Sequence, residues 1–160
     1  MYLRITKIFS LLLITAVVMM SHLAPAQAES PNDILVIANQ TCPDDTITID
    51  RAKAIFMKRR TIWSNNQKLI ALNAKEGTAL RDAFRTAAIK MNAIQEKTHW
   101  QNQKVRHGIT PPPEFTKLQK AVFKIKGAVS YVFRKDFIKG VSKVLLVIPS
   151  STSGGALPEP

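Results

Sequence analysis

The segment from Asn73 to Arg81 is the part of the sequence whose residue types could bind a ligand. A predicted strand ends there, a glycine permits a tight turn, and a helix begins. The first backbone N–H groups of a helix have no partner within it, so they can bind an anion such as phosphate. We therefore predict a candidate anion site formed by Gly77, Thr78, Ala79 and Arg81, with the Thr78 hydroxyl and the Arg81 guanidinium as side-chain donors.

A structural interpretation explains the same residues without a ligand. Gly77 would make the turn and Thr78 would cap the helix. Glu76 favours this second interpretation, because it places a negative charge where an anion would bind. The sequence is compatible with both interpretations.

The remaining polar residues do not suggest catalysis or a metal site. His99 and His107 lie eight residues apart, with no cysteine or carboxylate at ligand spacing. Asp44 and Asp45 form an adjacent pair of acids in a predicted turn, which is typical of a loop or a cap. No nucleophile–His–acid motif is present. We therefore predict that the protein is not an enzyme and uses no metal or cofactor.

Four mainly apolar segments predict strands, and two of them, 34–38 and 144–148, are continuous apolar runs of the kind that is buried on both faces in a parallel sheet. Helical periodicity lies between the segments, so strands and helices alternate along the chain. We therefore predict an α/β fold, a compact domain with a mostly parallel central sheet flanked by helices. The four segments cover residues 34–38, 68–73, 128–133 and 144–148.

Three helices are predicted between these strands. The first is capped by Thr48, the second begins at Gly77-Thr78 and continues to Ile94, and the third begins near Glu114. The polar stretch 99–107 is predicted to be irregular. The buried face of the second helix is predicted to contain Leu80, Phe84, Ala87, Met91 and Ile94, with Arg81 and Arg85 largely elsewhere.

The N-terminus has the three parts of an export signal. Residues 1–7 carry two cations and no acid, residues 8–20 are apolar, and the small residues at 25–28 fit a cleavage site. The apolar run is about 13 residues, short of the roughly 20 that a membrane-spanning helix needs. We therefore predict a cleavable signal peptide over residues 1–28.

The 132 residues that follow suffice for one domain and are too few for two. We predict this domain over residues 29–149 and a disordered tail over 150–160, which is rich in Ser, Gly and Pro. The expected location is periplasmic or secreted. No cysteine lies near the cleavage region, so a lipid anchor is not expected.

The formal net charge of +12 indicates an acidic partner. Arg4 and Lys7 contribute two of these charges and would leave with the signal peptide. Export makes nucleic acid an improbable partner, which leaves a small anion, anionic lipid headgroups or another protein. Simple solvation of the surface explains the same lysines equally well.

Cys42 is the one cysteine of the sequence, so an internal disulfide is excluded. It is either a buried thiol or a site of pairing with another chain. Burial is the expected state.

Several motifs together resemble a known family. Ile55-Phe56 is followed by Trp63, then by a strand and Gly77-Thr78, and later by the stretch 127–132, Gly-Ala-Val-Ser-Tyr-Val. In this combination the chain resembles short proteins related to the phosphate-binding proteins of ABC transporters, in the type 2 periplasmic-binding-protein class. The resemblance extends over 34–148.

The sequence departs from the pattern of that family in three ways. Lys58 stands where a glycine is usual, and Glu76 stands in place of the serine of Ser-Gly-Thr; an arginine usual a few residues upstream is also missing. The resemblance implies an exported solute-binding-protein-like module that binds phosphate or a similar oxyanion for a transport system. Its partner would be a membrane transporter or another envelope protein. The alternative is a periplasmic accessory protein that keeps the fold and has lost the ligand.

Overall fold

The computed structural model describes residues 29–150. The predicted signal peptide and residues 151–160 of the predicted tail lie outside the described residues. Within the described range, no helix combines the length and the apolar character needed to cross a membrane.

A four-stranded sheet forms the centre of the fold, in the order β2-β5-β1-β6. All five residues of the central strand β1 are buried, as its continuous apolar sequence predicts. The strands are β1 (Ile34–Ala38), β2 (Ile70–Ala71), β5 (Ala128–Phe133) and β6 (Lys143–Ile148). A second, two-stranded parallel sheet joins β3 (Asn73–Ala74) to β4 (Glu114–Phe115).

The central sheet is mixed, which corrects the prediction of a mostly parallel sheet. β1 runs antiparallel to both β5 and β6, and β2 runs parallel to β5. A continuous apolar run indicates burial on both faces of a sheet, and it carries no information on strand direction. The α/β class and the flanking helices are confirmed.

Helix α1 (Ile49–Phe56) begins where the sequence predicts. The hydroxyl of Thr48 caps it by accepting a hydrogen bond of 3.2 Å from the backbone N–H of Arg51. Helix α2 (Ala79–Phe84) continues directly into a π-helical turn, Arg85–Ile89. Helices α3 (Ala93–His107) and α4 (Leu118–Lys124) and a 3₁₀ turn, Arg134–Asp136, complete the fold.

The predicted second helix is two helices in the structure. The first ends at Lys90, which adopts the left-handed conformation with φ 59°. Asn92 then begins α3 with a capping box, in which its side chain and that of Gln95 each accept a backbone N–H. The predicted inward residue Ile94 is consequently exposed.

Two further elements differ from prediction. The stretch 99–107, predicted to be irregular, forms most of α3. This helix has polar residues on nearly all sides, so its sequence lacks the apolar period that marks a helix packed on a core. Glu114 lies in β4 and not in a helix, and α4 begins only at Leu118.

Aromatic rings pack α1 and α2 against the sheet. Phe84 of α2 is fully buried and stacks on Tyr131 of β5, with ring centroids 3.8 Å apart. Phe56 of α1 meets both rings edge-on. Trp63 is buried as well, and its indole N–H donates to the Gly127 carbonyl at 3.0 Å.

Candidate functional site

Thr78 is the N-cap of α2 in the structure. Its hydroxyl accepts a hydrogen bond from the backbone N–H of Arg81 at 3.3 Å and donates one to the Lys75 carbonyl at 2.8 Å. Gly77 has φ 78°, a conformation that glycine adopts without strain. Gly77, Thr78 and Ala79 are exposed, so the turn contributes backbone groups at the surface.

Arg81, the fourth residue of the predicted anion site, is buried, and so is Arg85 one turn later. Both were predicted to lie off the buried face of this helix, and that prediction is wrong. Both guanidinium groups bind the buried carboxylate of Glu96 in α3, at 2.5 Å for Arg81 and 2.6 Å for Arg85. A buried charge is tolerated when it is paired in this way.

Two further carboxylates complete what we call the arginine cluster. Glu76 lies 2.5 Å from Arg85 and 3.5 Å from Arg81. Asp82 also pairs with Arg85. The cluster therefore holds two cations and three carboxylates, a formal charge of −1, and offers no excess positive charge to an anion. Its members are Glu76, Arg81, Asp82, Arg85 and Glu96.

All three nitrogens of the Arg85 guanidinium group are used within the cluster. They donate to Glu96, Asp82 and Glu76. Burial disfavours the charged form of Arg85, but the hydrogen bonds and charges of Glu96 and Glu76 outweigh it and raise its pKa. Each nitrogen of the Arg85 guanidinium is therefore already bound to a carboxylate of the cluster.

Tyr131 connects the arginine cluster to the sheet. Its hydroxyl accepts hydrogen bonds from Arg81 at 3.3 Å and from the backbone N–H of Ala74 at 3.1 Å. It lies 3.3 Å from the Asn73 amide oxygen, to which it donates. Burial raises the pKa of this phenol, although the nearby Arg81 opposes the shift.

A cavity of about 480 Å³ lies beside the cluster. Glu76, Arg81 and Glu96 form part of its wall, and Trp100 and Ile94 of α3 add apolar surface. Glu114 and two lysines of α3 also line it, so its charges are mixed. Of the four residues of the predicted anion site, Arg81 alone lines this cavity, and the carboxylates of Glu76 and Glu96 lie next to it there.

The sequence analysis did not identify Glu96, Arg85 or Tyr131 as members of this site. A signal for Arg85 exists, because it lies four residues after Arg81 on the same helical face. Nothing in the sequence places Glu96 beside them, since it belongs to the next helix and the turn between the helices was not predicted.

The other residues singled out in the sequence do not assemble into a site. His99 and His107 both lie on α3, and His99 meets Trp100 edge-on at 5.0 Å. Among residues 29–150, no three potential metal-binding side chains come close enough to hold an ion. Cys42 is a buried free thiol, as expected, and burial raises its pKa.

The fold is similar to that of solved phosphate receptors. An ABC-type phosphate transport receptor from Vibrio cholerae superposes with a TM-score of 0.56 at 13% identity, covering 73% of this chain and 47% of that one. A protein from Clostridium perfringens, assigned as a phosphate ABC transporter substrate-binding protein and solved with phosphate, gives 0.54 at 14% identity, covering 73% and 46%. PstS from Borrelia burgdorferi gives 0.52 at 10% identity, covering 72% and 50%.

No family model matches the sequence, and no curated protein matches it. The chain spans about half the length of the three receptors. At this level of identity the likeness concerns the fold. Over that half, the chain has the fold of the substrate-binding proteins of phosphate ABC transporters.

Proposed function

We propose that this protein is an exported, non-enzymatic accessory protein that keeps a solute-binding fold, with its own Glu76 carboxylate in the position of an anionic ligand. The arginine cluster is the observation that supports this proposal. Next to the start of α2, where the sequence predicts an anion, the Glu76 carboxylate accepts hydrogen bonds from Arg85 and lies 3.5 Å from the Arg81 Nε, an ion pair without a hydrogen bond. A carboxylate and a phosphate use the same guanidinium donors, so they compete for them.

Two features of Glu76 make it a substitute for a ligand and not an ordinary buried partner. Its side chain remains 55% exposed, whereas Arg81 and Arg85 are each 4% exposed. The carboxylate therefore approaches the arginines from the solvent side, as a bound anion would. Glu96 binds them from the protein side and is itself buried.

The proposal predicts that removing Glu76 opens the site to an external anion. In the wild type, we expect the backbone amides of 77–81 to be unaffected by millimolar phosphate in residue-resolved NMR spectra. In Glu76→Ser, the same amides should shift on addition of phosphate, because the cluster then has equal numbers of cations and carboxylates and a vacated position. Chloride at the same ionic strength controls for screening.

Asp136→Asn is the matched control, since Asp136 is an exposed carboxylate that does not line the cavity and belongs to no ion pair among residues 29–150. Its amides at 77–81 should behave as in the wild type. A phosphate response at 77–81 in the wild type would refute self-occupation. It would support the second candidate, a phosphate-binding module of a transport system, which the fold likeness and the cavity at Arg81 favour.

An accessory role also requires a partner, for which a membrane transporter or another envelope protein is the expected class. Crosslinking of the protein in an envelope extract should enrich one defined protein. That enrichment should be unchanged in Glu76→Ser, since binding of the partner does not require the Glu76 carboxylate. Absence of any specific partner, together with tight anion binding at 77–81 of the wild type, would rule out this proposal.

A further inference from the structure

A second cavity, of about 280 Å³, lies against the outer edge of the central sheet. It shares no lining residue with the cavity beside the arginine cluster. We call it the basic pocket. The residues that matter for its chemistry are Lys58, Arg60, Thr61, Lys68 and Ala71.

The basic pocket brings three cations together without a compensating acid. Lys58, Arg60 and Lys68 line it, and no aspartate or glutamate does. Within residues 29–150, none of the three takes part in an ion pair. The arginine cluster has the opposite balance, with more carboxylates than cations. Of these two sites, the basic pocket at the sheet edge therefore has an excess of positive charge, and the arginine cluster at the predicted site does not.

Lys58 occupies a position that disfavours a side chain. Its φ is 53°, in the left-handed region that favours glycine, and glycine is usual here in the family that the sequence resembles. The turn is fixed by a 3.0 Å hydrogen bond from the Lys58 N–H to the Ile55 carbonyl. Partial burial without a carboxylate partner also lowers the pKa of the Lys58 ammonium group. Backbone strain and partial burial both disfavour Lys58 at this position, which makes its side chain a candidate for ligand binding.

A backbone donor faces the same pocket. The N–H groups of Ile70 and Leu72 donate towards β5, to the Gly127 and Val129 carbonyls at 3.0 and 2.9 Å. Successive N–H groups of a strand point in opposite directions. The N–H of Ala71, between them, therefore points away from β5. Because β2 is the edge strand of the sheet, that direction leads to the basic pocket.

We infer that the basic pocket binds a polyvalent oxyanion of the phosphate or sulfate class, held by Lys58, Arg60, Lys68 and the Ala71 N–H. Three cations match a dianion with several acceptor oxygens better than a single carboxylate. The cavity is large enough for such a group and closed on one side by the sheet edge. This site is independent of Glu76 and of the proposed accessory role.

Lys58→Gly separates binding from folding, because glycine removes the ammonium group and also relieves the backbone. We expect this variant to melt at the same temperature as the wild type or higher. Its affinity for inorganic phosphate or sulfate should fall at least about tenfold. NMR titration should show the Ala71 amide of the wild type shifting with either anion, and comparison of the two anions identifies the preferred one.

Arg59→Gln is the matched control, since Arg59 is exposed, adjacent in sequence and absent from the pocket wall. It removes the same charge, so its affinity should stay within about twofold of the wild type. Equal losses in the two variants would show diffuse attraction and overturn the inference. The inference would also be overturned if the NMR signal of the Ala71 amide did not shift with millimolar phosphate or sulfate. A response at 77–81 with an unchanged Ala71 amide would contradict both the self-occupied site and the basic pocket, whereas a response at both places would contradict self-occupation alone.

Discussion

At the scale of single residues, the hydroxyl of Tyr131 connects the central sheet, the two-stranded sheet of β3 and β4, and the arginine cluster. The Tyr131 phenol is fully buried and has three polar neighbours within 3.3 Å. It is the shared partner of a backbone N–H in β3 and a guanidinium in α2. Its ring contributes packing separately, through the stack on Phe84.

Tyr131→Phe should therefore remove polar contacts and keep the packing. The Ala74 N–H and the Arg81 guanidinium would each lose an acceptor in a buried environment, which costs about 1–3 kcal/mol of unfolding free energy. Urea unfolding monitored by tryptophan fluorescence measures this loss. A change below the error of the extrapolation would mean that water replaces the hydroxyl in the variant.

At the scale of elements, helix α3 is joined to the rest of the protein by few groups. Of its 15 residues, only Glu96 and Trp100 are buried. These two also contact each other, because the Trp100 indole N–H donates to Glu96 at 3.3 Å. The attachment of this helix thus depends on an ion cluster more than on an apolar face.

Glu96→Gln should loosen α3 and destabilise the whole domain. Two buried guanidinium groups would lose their shared carboxylate, and breaking a buried ion pair from one side costs about 3–5 kcal/mol. Hydrogen exchange should rise throughout α3 and rise less in β1. Asp136→Asn, which removes an exposed carboxylate that forms no ion pair within the described part of the chain, should leave both measurements unchanged.

The elements that could be predicted are those whose signal is local. Mainly apolar segments identified β1, β5 and β6, and Thr48 and Thr78 identified two helix starts. The break after α2 could not be predicted from an apolar period, because Ile94 continues that period past Lys90. The arginine cluster could not be predicted for a different reason. The sequence does not distinguish a buried arginine from a surface arginine unless the position of the partner carboxylate is known.

At the scale of the whole molecule, Asp33 joins the two ends of the described chain. Its carboxylate accepts hydrogen bonds from the backbone N–H groups of Ser30 and Ser150, both at 3.0 Å, and from Arg134 at 3.3 Å. These bonds fix the start of β1 beside the segment that follows β6. The Ser150 hydrogen bond, supported by those of Ser30 and Arg134, lowers the pKa of Asp33 despite its burial.

This arrangement predicts a specific acid dependence of stability. A carboxyl group whose pKa is lower in the folded state than in the unfolded state stabilises the fold. This contribution is complete above the unfolded pKa of about 3.9 and is lost as the pH falls through the pKa of the folded state. Urea unfolding between neutral and acidic pH should therefore show a decline below about pH 4. The decline should be smaller in Asp33→Asn, which should also be less stable than the wild type at neutral pH. An unchanged acid profile in that variant would assign the decline to other carboxyls.

The position of β1 in the sheet has a consequence for how the chain folds. The first strand of the domain pairs on both sides with its last two strands, Ile34 opposite Phe133 and opposite Ile148. These partners are about 100 residues apart in sequence, a separation that slows folding because a long loop must close first. The central sheet therefore cannot form until nearly all of the chain has been synthesised. Late closure of the sheet is compatible with the export that we propose, because a chain must be unfolded while it is threaded through an export channel.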